Sequence, residues 1–489
     1  MRIPPLRLSA ASRFLASAGL LSGLVAGVIA APLHAGSGHD GHDAEETSTL
    51  FLRAKRVIVR PGHVLENAAV IVKGGRIEAV GTDLAAPDGA ETVEGEVICA
   101  AFMDAWSTAG ISADSVRGRD INAATLAADA VDPYGQRSIL QELASAGVLL
   151  TRSQAGMTAD FGGIGAVLRT SDAEVLLPDA AMSVLVTPPP PTRFVPRNFG
   201  GGGPGGFSFA PPSIDPLERI AKIDKLVSEL ESGQKYADDR ATYEAELAEW
   251  EAEIAEKEEE LQDDFKKAKK ARDKKVKEAE EDGEELKEKK YKESKRPRAP
   301  RFDAEKAAFA RAVTGEIPLV VHADRAMEIR DLLRATEPFK RVRLILAGGT
   351  SALACKDMLR ERGVQVIVAP SPANAGGPVG ELDPGLSLAG ELHAAGIDVL
   401  IGTGTSSART SRDLPLVAAL AVGHGLDEEA ALASITSGPA EAFDVADQVG
   451  MVKRGLMAEL LVLSGDPLSS SSRVIAAVSG GSMIQPAGR

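Results

Sequence analysis

The chain has 489 residues, of which 44% are apolar and 26% are charged, and its 55 Lys and Arg against 70 Asp and Glu give a formal net charge of −15. This length and apolar content allow two or three domains with a large core, which excludes intrinsic disorder for most of the chain. The acidic balance argues against nucleic acid as a partner, and two cysteines, Cys99 and Cys355, exclude a disulfide scaffold and a cysteine-based metal cluster.

The first 35 residues are predicted to form a secretory signal peptide. Three arginines precede an uncharged run of 18 residues at 14–31, and small residues offer a cleavage site after Ala35. An uncleaved N-terminal anchor is the alternative, because 18 apolar residues are just enough to span a bilayer. We expect a periplasmic or secreted protein with no membrane span after cleavage.

A polar leader follows the signal peptide and carries His39 and His42 among acidic residues. Imidazole and carboxylate groups at this spacing could collect a transition metal loosely. We interpret the leader as a solvated segment, because nothing in it would hold the ligands in place.

Both ends of the mature chain are rich in short β-branched runs broken by turn signals. Pro61-Gly62 and Gly74-Gly75 separate such runs near the N-terminal end, and the C-terminal end shows the same pattern of short apolar runs and turn residues. This pattern predicts one small β-sandwich domain assembled from residues 50–100 and 447–489.

Apolar strand-like runs alternate with helix-like segments between those two ends. The clearest runs lie at 147–153, 317–323, 342–349, 364–370 and 397–404. Buried strands separated by helices of this kind indicate an α/β protein with a parallel sheet, and at this length a (β/α)8 TIM barrel closes the sheet most economically. We predict the barrel over residues 101–187 and 302–446, with functional residues just after the strands.

A long insertion interrupts this alternation. Residues 188–212 are predicted to form a Pro/Gly-rich loop, and residues 213–301 a highly charged helical, coiled segment. The helix should begin at Asp215, and the apolar stripe of its first turns should pack on the barrel.

Charge is segregated along the insertion. Residues 244–264 hold 11 acidic side chains and one basic one, and residues 266–277 hold 8 basic and one acidic. An antiparallel hairpin folded near Asp263 would bring these blocks together, whereas a single straight helix would leave both solvated, and the sequence leaves both geometries open. A docking arm for a protein partner and a tolerated surface insertion are the two functional interpretations.

Four stretches carry motifs that recur together in one group of enzymes. They are RVIVRPGHVLENAAVIVKGGRIEAVG at 56–81, ASAGVLLTRS at 144–153, GEIPLVVHADRAMEIRDLL at 315–333, and the segment from 414 to 468. The chain thereby resembles the amidohydrolase superfamily, the metal-dependent hydrolases related to imidazolonepropionase. The resemblance implies a TIM barrel and hydrolysis of carbon–nitrogen bonds other than peptide bonds.

The same resemblance implies a set of metal ligands, which this chain keeps only in part. Family members hold one or two divalent metals with a D-x-H-x-H motif after strand one, a strand-four ligand, histidines after strands five and six, and an aspartate after strand eight. Here the first motif reads AAFMDAWSTAG, so Asp104 is kept while Trp106 and Thr108 occupy the two histidine positions. His322 matches the strand-five histidine.

The remaining ligand positions hold no ligand. The strand-eight motif reads Gly402-Thr403-Gly404, the strand-six position falls near Gly348, and no strand-four ligand can be placed. His393 and His424 fall in helical segments rather than after strands. One imidazole does not hold Zn²⁺, since catalytic zinc sites typically use three protein ligands, and loss of the aspartate also removes the general base. We interpret His322 as a vestigial metal ligand and expect no cofactor.

Three functions follow from these observations. The first is an exported amidohydrolase-like pseudoenzyme that binds a small-molecule ligand or a protein partner. The second is an active hydrolase that uses Zn or another divalent metal through ligands at other positions, such as His39 and His42. The third is an envelope protein that works through its coiled insertion.

Other chemistry at the barrel mouth is a further alternative. Asp104, Thr108, His322 and Asp324 should all lie there, together with Ser107. A Ser/Thr–His–Asp arrangement of these residues would permit nucleophilic catalysis without metal.

Overall fold

A computed structural model describes residues 49–112, 121–156, 160–187, 216–278, 295–370, 384–404 and 407–484. The predicted signal peptide, the polar leader and the Pro/Gly-rich loop lie outside these residues and stay predictions.

The described residues form strands and helices in the following order. The strands are β1 (Thr49–Arg60), β2 (His63–Lys73), β3 (Arg76–Gly81), β4 (Glu91–Ala100), β5 (Phe102–Ser107), β6 (Val148–Ser153), β7 (Phe161–Arg169), β8 (Val175–Leu185), β9 (Leu319–Ala323), β10 (Leu344–Gly348), β11 (Gln365–Val368), β12 (Val399–Ile401), β13 (Leu460–Leu463), β14 (Val474–Ser479) and β15 (Ser482–Ile484). The helices are α1 (Arg137–Ser145), α2 (Pro216–Glu278), α3 (Ala304–Val313), α4 (Ala326–Ala335), α5 (Lys356–Glu361), α6 (Pro384–Ala394), α7 (Leu414–Gly423), α8 (Glu428–Ser434) and α9 (Ser437–Ala442).

Strands near the two ends of the described chain build one sheet, as the sequence predicts. Its seven strands lie in the order β15-β14-β13-β4-β1-β2-β3. The strands β4 and β13 join the two ends in antiparallel pairing, with Ile98 opposite Val462. One face of the sheet packs a continuous apolar cluster that includes Leu52, Val70 and Leu460. Burial of these β-branched and leucine side chains drives assembly of the domain.

The second sheet is the predicted barrel. Eight strands follow one another from β5 to β12, and the barrel is nearly closed between its first and last strands. The Gly404 N–H, just beyond β12, donates a 2.9 Å hydrogen bond to the carbonyl of Trp106 on β5. The interior is packed with apolar side chains, among them Met103, Val320 and Ile345, together with Phe443. Apolar side chains therefore fill much of the barrel interior, which also contains a few buried polar groups.

One strand departs from the strict βα repeat. The strand β7 runs antiparallel to both of its neighbours, β6 and β8. The connections on either side of it, 154–160 and 170–174, are too short for the dozen or more residues that a parallel crossover needs. The chain therefore makes hairpin connections here, and the other seven strands stay parallel.

The charged insertion contains one continuous helix. The helix α2 is 63 residues long and passes Asp263 without a turn, so the described part of the insertion adopts the straight-helix geometry rather than a hairpin folded at that residue. Its first turns pack on the barrel through the buried side chains of Ile223, Leu226 and Leu230. Within the described ranges, α2 included, every helix is too short or too polar to cross a bilayer.

Candidate functional site

The residues that match the family's ligand motif meet at the rim of the barrel. Asp104 and Trp106 lie on β5, His322 lies on β9, and Thr403 follows β12. The Trp106 and His322 rings lie 5.2 Å apart, centroid to centroid, at an interplanar angle of 49°. We call Asp104, Trp106, His322, Asp324 and Thr403 the Trp106 cluster.

Asp104 is fully buried and is held by hydrogen bonds from its own chain. Its Oδ1 accepts from the N–H groups of Trp106 at 3.0 Å and Thr403 at 3.1 Å, and its Oδ2 accepts from the Thr403 hydroxyl at 2.6 Å. Burial raises the pKa of Asp104 to about 6, and the bonds from Thr403, Trp106 and Ser411 offset only part of that rise. Both carboxylate oxygens are therefore already engaged.

His322 is also buried and faces a second carboxylate. Its Nδ1 contacts the carbonyl oxygen of Thr187, and its Nε2 lies 3.7 Å from Asp324 Oδ2. The other oxygen of Asp324 accepts from the N–H and the hydroxyl of Thr350 at 3.2 and 2.9 Å. Gly348 lies so close that a Cβ there would be 3.0 Å from His322 Nε2 and 2.7 Å from Asp324 Oδ1. The glycine at the strand-six position thus makes room for this His–Asp pair.

The two glycines after β12 differ in their surroundings. A Cβ on Gly402 would lie 2.6 Å from the Cβ of Trp106, so the close approach of β12 to β5 requires glycine at this position. A Cβ on Gly404 would have, among the described residues, only Ala369 nearby, at 4.0 Å, and the backbone there has a φ of +79°. Trp106 therefore packs against Gly402, while the described residues leave the surroundings of Gly404 open.

These residues do not fit the metal site that the resemblance implies. Within the described ranges, no group of three or more His, Cys, Asp or Glu side chains lies close enough to share a metal ion. His322 has Asp324 beside it, but Trp106 supplies an indole without a lone pair for a metal. Zinc sites in proteins use three or four ligands, and Asp104 is occupied by its own hydrogen bonds.

The alternative Ser/Thr–His–Asp arrangement is not assembled either. The Ser107 hydroxyl bonds to the Ser411 hydroxyl at 2.7 Å and accepts from the Ala109 N–H at 3.0 Å. The side-chain contacts of His322 are with Thr187, Asp324 and Trp106 instead. Thr108 is half-buried just beyond β5 and makes no side-chain hydrogen bond within the described residues.

A second polar group lies inside the barrel and escaped the sequence-based prediction. Arg152 on β6, Gln154 just beyond it and Ser183 on β8 are all buried, and we call them the Arg152 cluster. Arg152 Nη1 donates to Gln154 Oε1 at 2.8 Å, and Nη2 donates to the Ser183 hydroxyl at 2.6 Å. A charged residue within the apolar run GVLLTRS was the signal that could have identified this cluster.

The rim is also connected to the inserted helix. Arg219 on α2 forms a 3.0 Å ion pair with Glu328 on α4, and both side chains are buried. Glu328 also accepts from the Thr187 hydroxyl and from the Arg325 N–H. Since Thr187 contacts His322 through its carbonyl, α2 is connected to the Trp106 cluster through two intervening residues.

Comparison with protein families gives one match. The model of the amidohydrolase family matches residues 173–483, which is more than half of the chain. Families of this kind are typically metal-dependent. No curated protein matches the chain in sequence.

Solved structures resemble the chain over most of its length. An amidohydrolase from Thermotoga maritima MSB8 is 19% identical, with a TM-score of 0.60, and the match covers 89% of this chain and 99% of that one. A prolidase complexed with N-methylphosphonate-L-proline is 15% identical, with a TM-score of 0.49, and the match covers 90% and 100%. The first of these likenesses supports the architecture of a barrel with a second sheet, and at this identity it shows the fold alone.

Proposed function

Because this chain belongs to the amidohydrolase family, we propose that it is an exported member of that family whose barrel has lost metal-dependent hydrolysis and binds a small-molecule ligand. One observation carries the proposal: Trp106 occupies a metal-ligand position of the family motif, and its ring packs against His322. A bulky indole in that place both removes a ligand and fills space beside the remaining imidazole.

The chemistry of the neighbouring positions supports the same proposal. Gly404 stands where the family has the aspartate that serves as general base, and loss of a general base alone costs typically 10²–10⁴-fold in rate. Asp104, the kept carboxylate, is directed to Thr403 rather than to a free ligand position. The framework motifs persist while the residues that would touch metal are replaced, which favours retained binding over retained hydrolysis.

Two further elements belong to the proposal. The predicted signal peptide at 1–35 places the protein in the periplasm or outside the cell. The helix α2, anchored by Arg219 to Glu328, would serve as an arm for a protein partner, with its charged length projecting from the barrel. Deletion of the part of α2 from residue 240 onwards, which keeps the turns that pack on the barrel, should leave a folded barrel and abolish capture of any partner that the full chain binds.

A hydrolysis screen tests the loss of catalysis. The mature protein, incubated with Zn²⁺, Mn²⁺ or Fe²⁺, should show no turnover of cyclic amides or dipeptides above that of the His322→Ala variant. His393→Ala is a matched control, because His393 is an exposed histidine on α6. Turnover that disappears in His322→Ala and persists in His393→Ala would establish the alternative, an active hydrolase with non-standard ligands.

A further inference from the structure

Arg152 is among the largest fully buried side chains of the protein, with no exposed surface. It lies on β6 in register with β7, and it extends across the interior towards Ala181 and Ser183 on β8. Its guanidinium carbon lies 5.6 Å from the centroid of the Phe443 ring. A cation therefore lies inside a largely apolar barrel interior.

The hydrogen bonds around this cation leave donors without acceptors. Gln154 Oε1 accepts from Arg152 and also from the Ser183 hydroxyl at 3.1 Å, so the orientation of the amide is fixed and its NH₂ group points elsewhere. Both Arg152 Nε and Gln154 Nε2 are buried without a hydrogen-bond partner among the residues that the structure describes. Burying a donor without an acceptor destabilises the folded state, and the effect is larger when the donor is charged.

The charge of Arg152 is uncompensated as well. Burial alone lowers the pKa of Arg152 to about 9, and no described carboxylate lies near enough to raise it again. The buried Arg219 differs in its charge pairing: its Nε lies 3.0 Å from Glu328 Oε1, although these two atoms do not meet the geometry of a hydrogen bond. Buried charges are normally paired, so the Arg152 cluster lacks the anion that the Arg219 pair contains.

The neighbouring strand provides room for the guanidinium. A Cβ on Gly165 of β7 would lie 2.9 Å from Arg152 Nε and 3.1 Å from its guanidinium carbon. Any larger residue at 165 would displace the arginine from its position. The glycine therefore keeps an energetically costly cation in the barrel interior.

We propose that Arg152 and Gln154 bind the carboxylate group of a small organic acid inside the barrel. The two unpartnered donors and the uncompensated cation are complementary to an acceptor-only, negatively charged group, and a planar carboxylate matches the donor geometry of a guanidinium. This inference rests on the proposed function, because it names the ligand class of the barrel that has lost hydrolysis.

Thermal unfolding with formate as the probe tests the inference. The melting temperature of the wild-type protein should rise by about 3 °C or more as sodium formate replaces sodium chloride at constant ionic strength, since a ligand that binds only the folded state stabilises it. A parallel titration with sodium phosphate shows whether the rise in melting temperature is specific to a carboxylate or common to other anions. The exposed Arg60 offers a matched control variant, Arg60→Met.

Two substitutions give the decisive comparison. Arg152→Met removes the cation and should abolish the formate response, whereas Arg60→Met should keep it. Gln154→Glu supplies a carboxylate next to Arg152, so it should raise the melting temperature in chloride and also abolish the response. An unchanged melting temperature of the wild type in formate, an equal rise in phosphate, or a response that survives in Arg152→Met would overturn the inference.

Metal analysis of the same samples tests the loss of the metal site independently of the carboxylate site at Arg152. Retained metal in the wild type would contradict the loss of the metal site whatever formate does. Failure of the formate response in a metal-free protein would contradict only the carboxylate site.

Discussion

The Trp106 cluster and the Arg152 cluster lie in the same barrel but differ in whether their buried polar groups have hydrogen-bond and charge partners. In the Trp106 cluster, the two carboxylates are satisfied from within the chain: Asp104 by Thr403, and Asp324 by Thr350. In the Arg152 cluster, two donors have no acceptor and the cation has no anion beside it among the described residues. The first cluster satisfies its carboxylates internally, whereas we propose that a bound carboxylate completes the second.

Under the proposed function, this difference distinguishes a lost metal site from a retained binding site. A metal site needs several ligands with free lone pairs directed at one point. In the Trp106 cluster, the carboxylate oxygens of Asp104 and Asp324 instead accept hydrogen bonds from within the chain. A binding site needs unsatisfied groups that a ligand can complete, and the Arg152 cluster provides them. Substitutions in the two clusters should therefore have different signatures.

The largest loss of stability is expected when the Trp106 side chain is removed. Trp106→Ala should lower the free energy of unfolding by about 3–5 kcal/mol in urea titrations, because it removes a large buried side chain packed against His322 and Gly402. Trp250→Ala is the matched control, since Trp250 is only half-buried on α2, and it should cost clearly less. A loss of less than about 1 kcal/mol in the free energy of unfolding of Trp106→Ala would mean that the indole contributes little to the packing of the core.

A pair of arginine substitutions compares a buried paired cation with a buried unpaired one. Arg219→Met leaves Glu328 buried without its partner, so it should destabilise the protein by about 3 kcal/mol or more. Arg152→Met should cost less than about 1.5 kcal/mol in ligand-free buffer, because it removes an uncompensated charge while Ser183 and Gln154 keep their mutual hydrogen bond. Equal losses in denaturant titrations would remove the distinction between the two arginines.

The pH dependence of the free energy of unfolding tests the raised pKa of Asp104. Burial raises the pKa of this carboxyl group from its ordinary value of 3.8 to about 6, so the folded chain keeps a proton that the unfolded chain releases between those values. Stability contributed by this group is therefore lost as pH rises from about 4 to about 6, by on the order of 3 kcal/mol.

The Asp104→Asn variant should lack this loss. Its stability relative to wild type should accordingly improve between pH 4 and pH 7, measured by urea unfolding at each pH. A parallel pH profile for the two proteins would show that Asp104 is not held in the buried environment described.

The smallest effect distinguishes the two glycines after β12. Gly402→Ala should cost about 2 kcal/mol, because its Cβ would overlap Trp106. Gly404→Ala should cost about 1 kcal/mol, from the positive φ, since no described side chain or backbone atom would overlap its Cβ. Thermal melts of the two variants would contradict the packing of Trp106 on Gly402 if the order were reversed.

Much of the architecture could be predicted from local sequence patterns. The apolar runs at 147–153, 317–323 and 342–349 became β6, β9 and β10, and the β-branched ends formed one sheet. Such elements are encoded by nearby residues, so periodicity and turn signals suffice to find them. The reversed direction of β7 was missed, because strand direction depends on connection length and on pairing, which periodicity does not report.

The site was predictable only in part, for a related reason. The motif placed Asp104, Trp106 and His322 at the rim, but the partners that decide their chemistry lie far away in sequence: Thr403 is 299 positions from Asp104. Arg152 was overlooked because a charge in a strand can face solvent or the interior, and only the fold determines which. Burial and hydrogen-bond satisfaction are properties of the assembled barrel.

Metal content of the purified mature protein tests the central claim most directly. After incubation with Zn²⁺, Mn²⁺ or Fe²⁺ and extensive dialysis, elemental mass spectrometry should find well under one equivalent of any of these metals if, as we propose, Trp106, Thr108 and Gly404 replace the ligands that would hold them. Near-stoichiometric metal that persists through dialysis and is lost in His322→Ala would contradict the claim and identify the barrel as a working metal site.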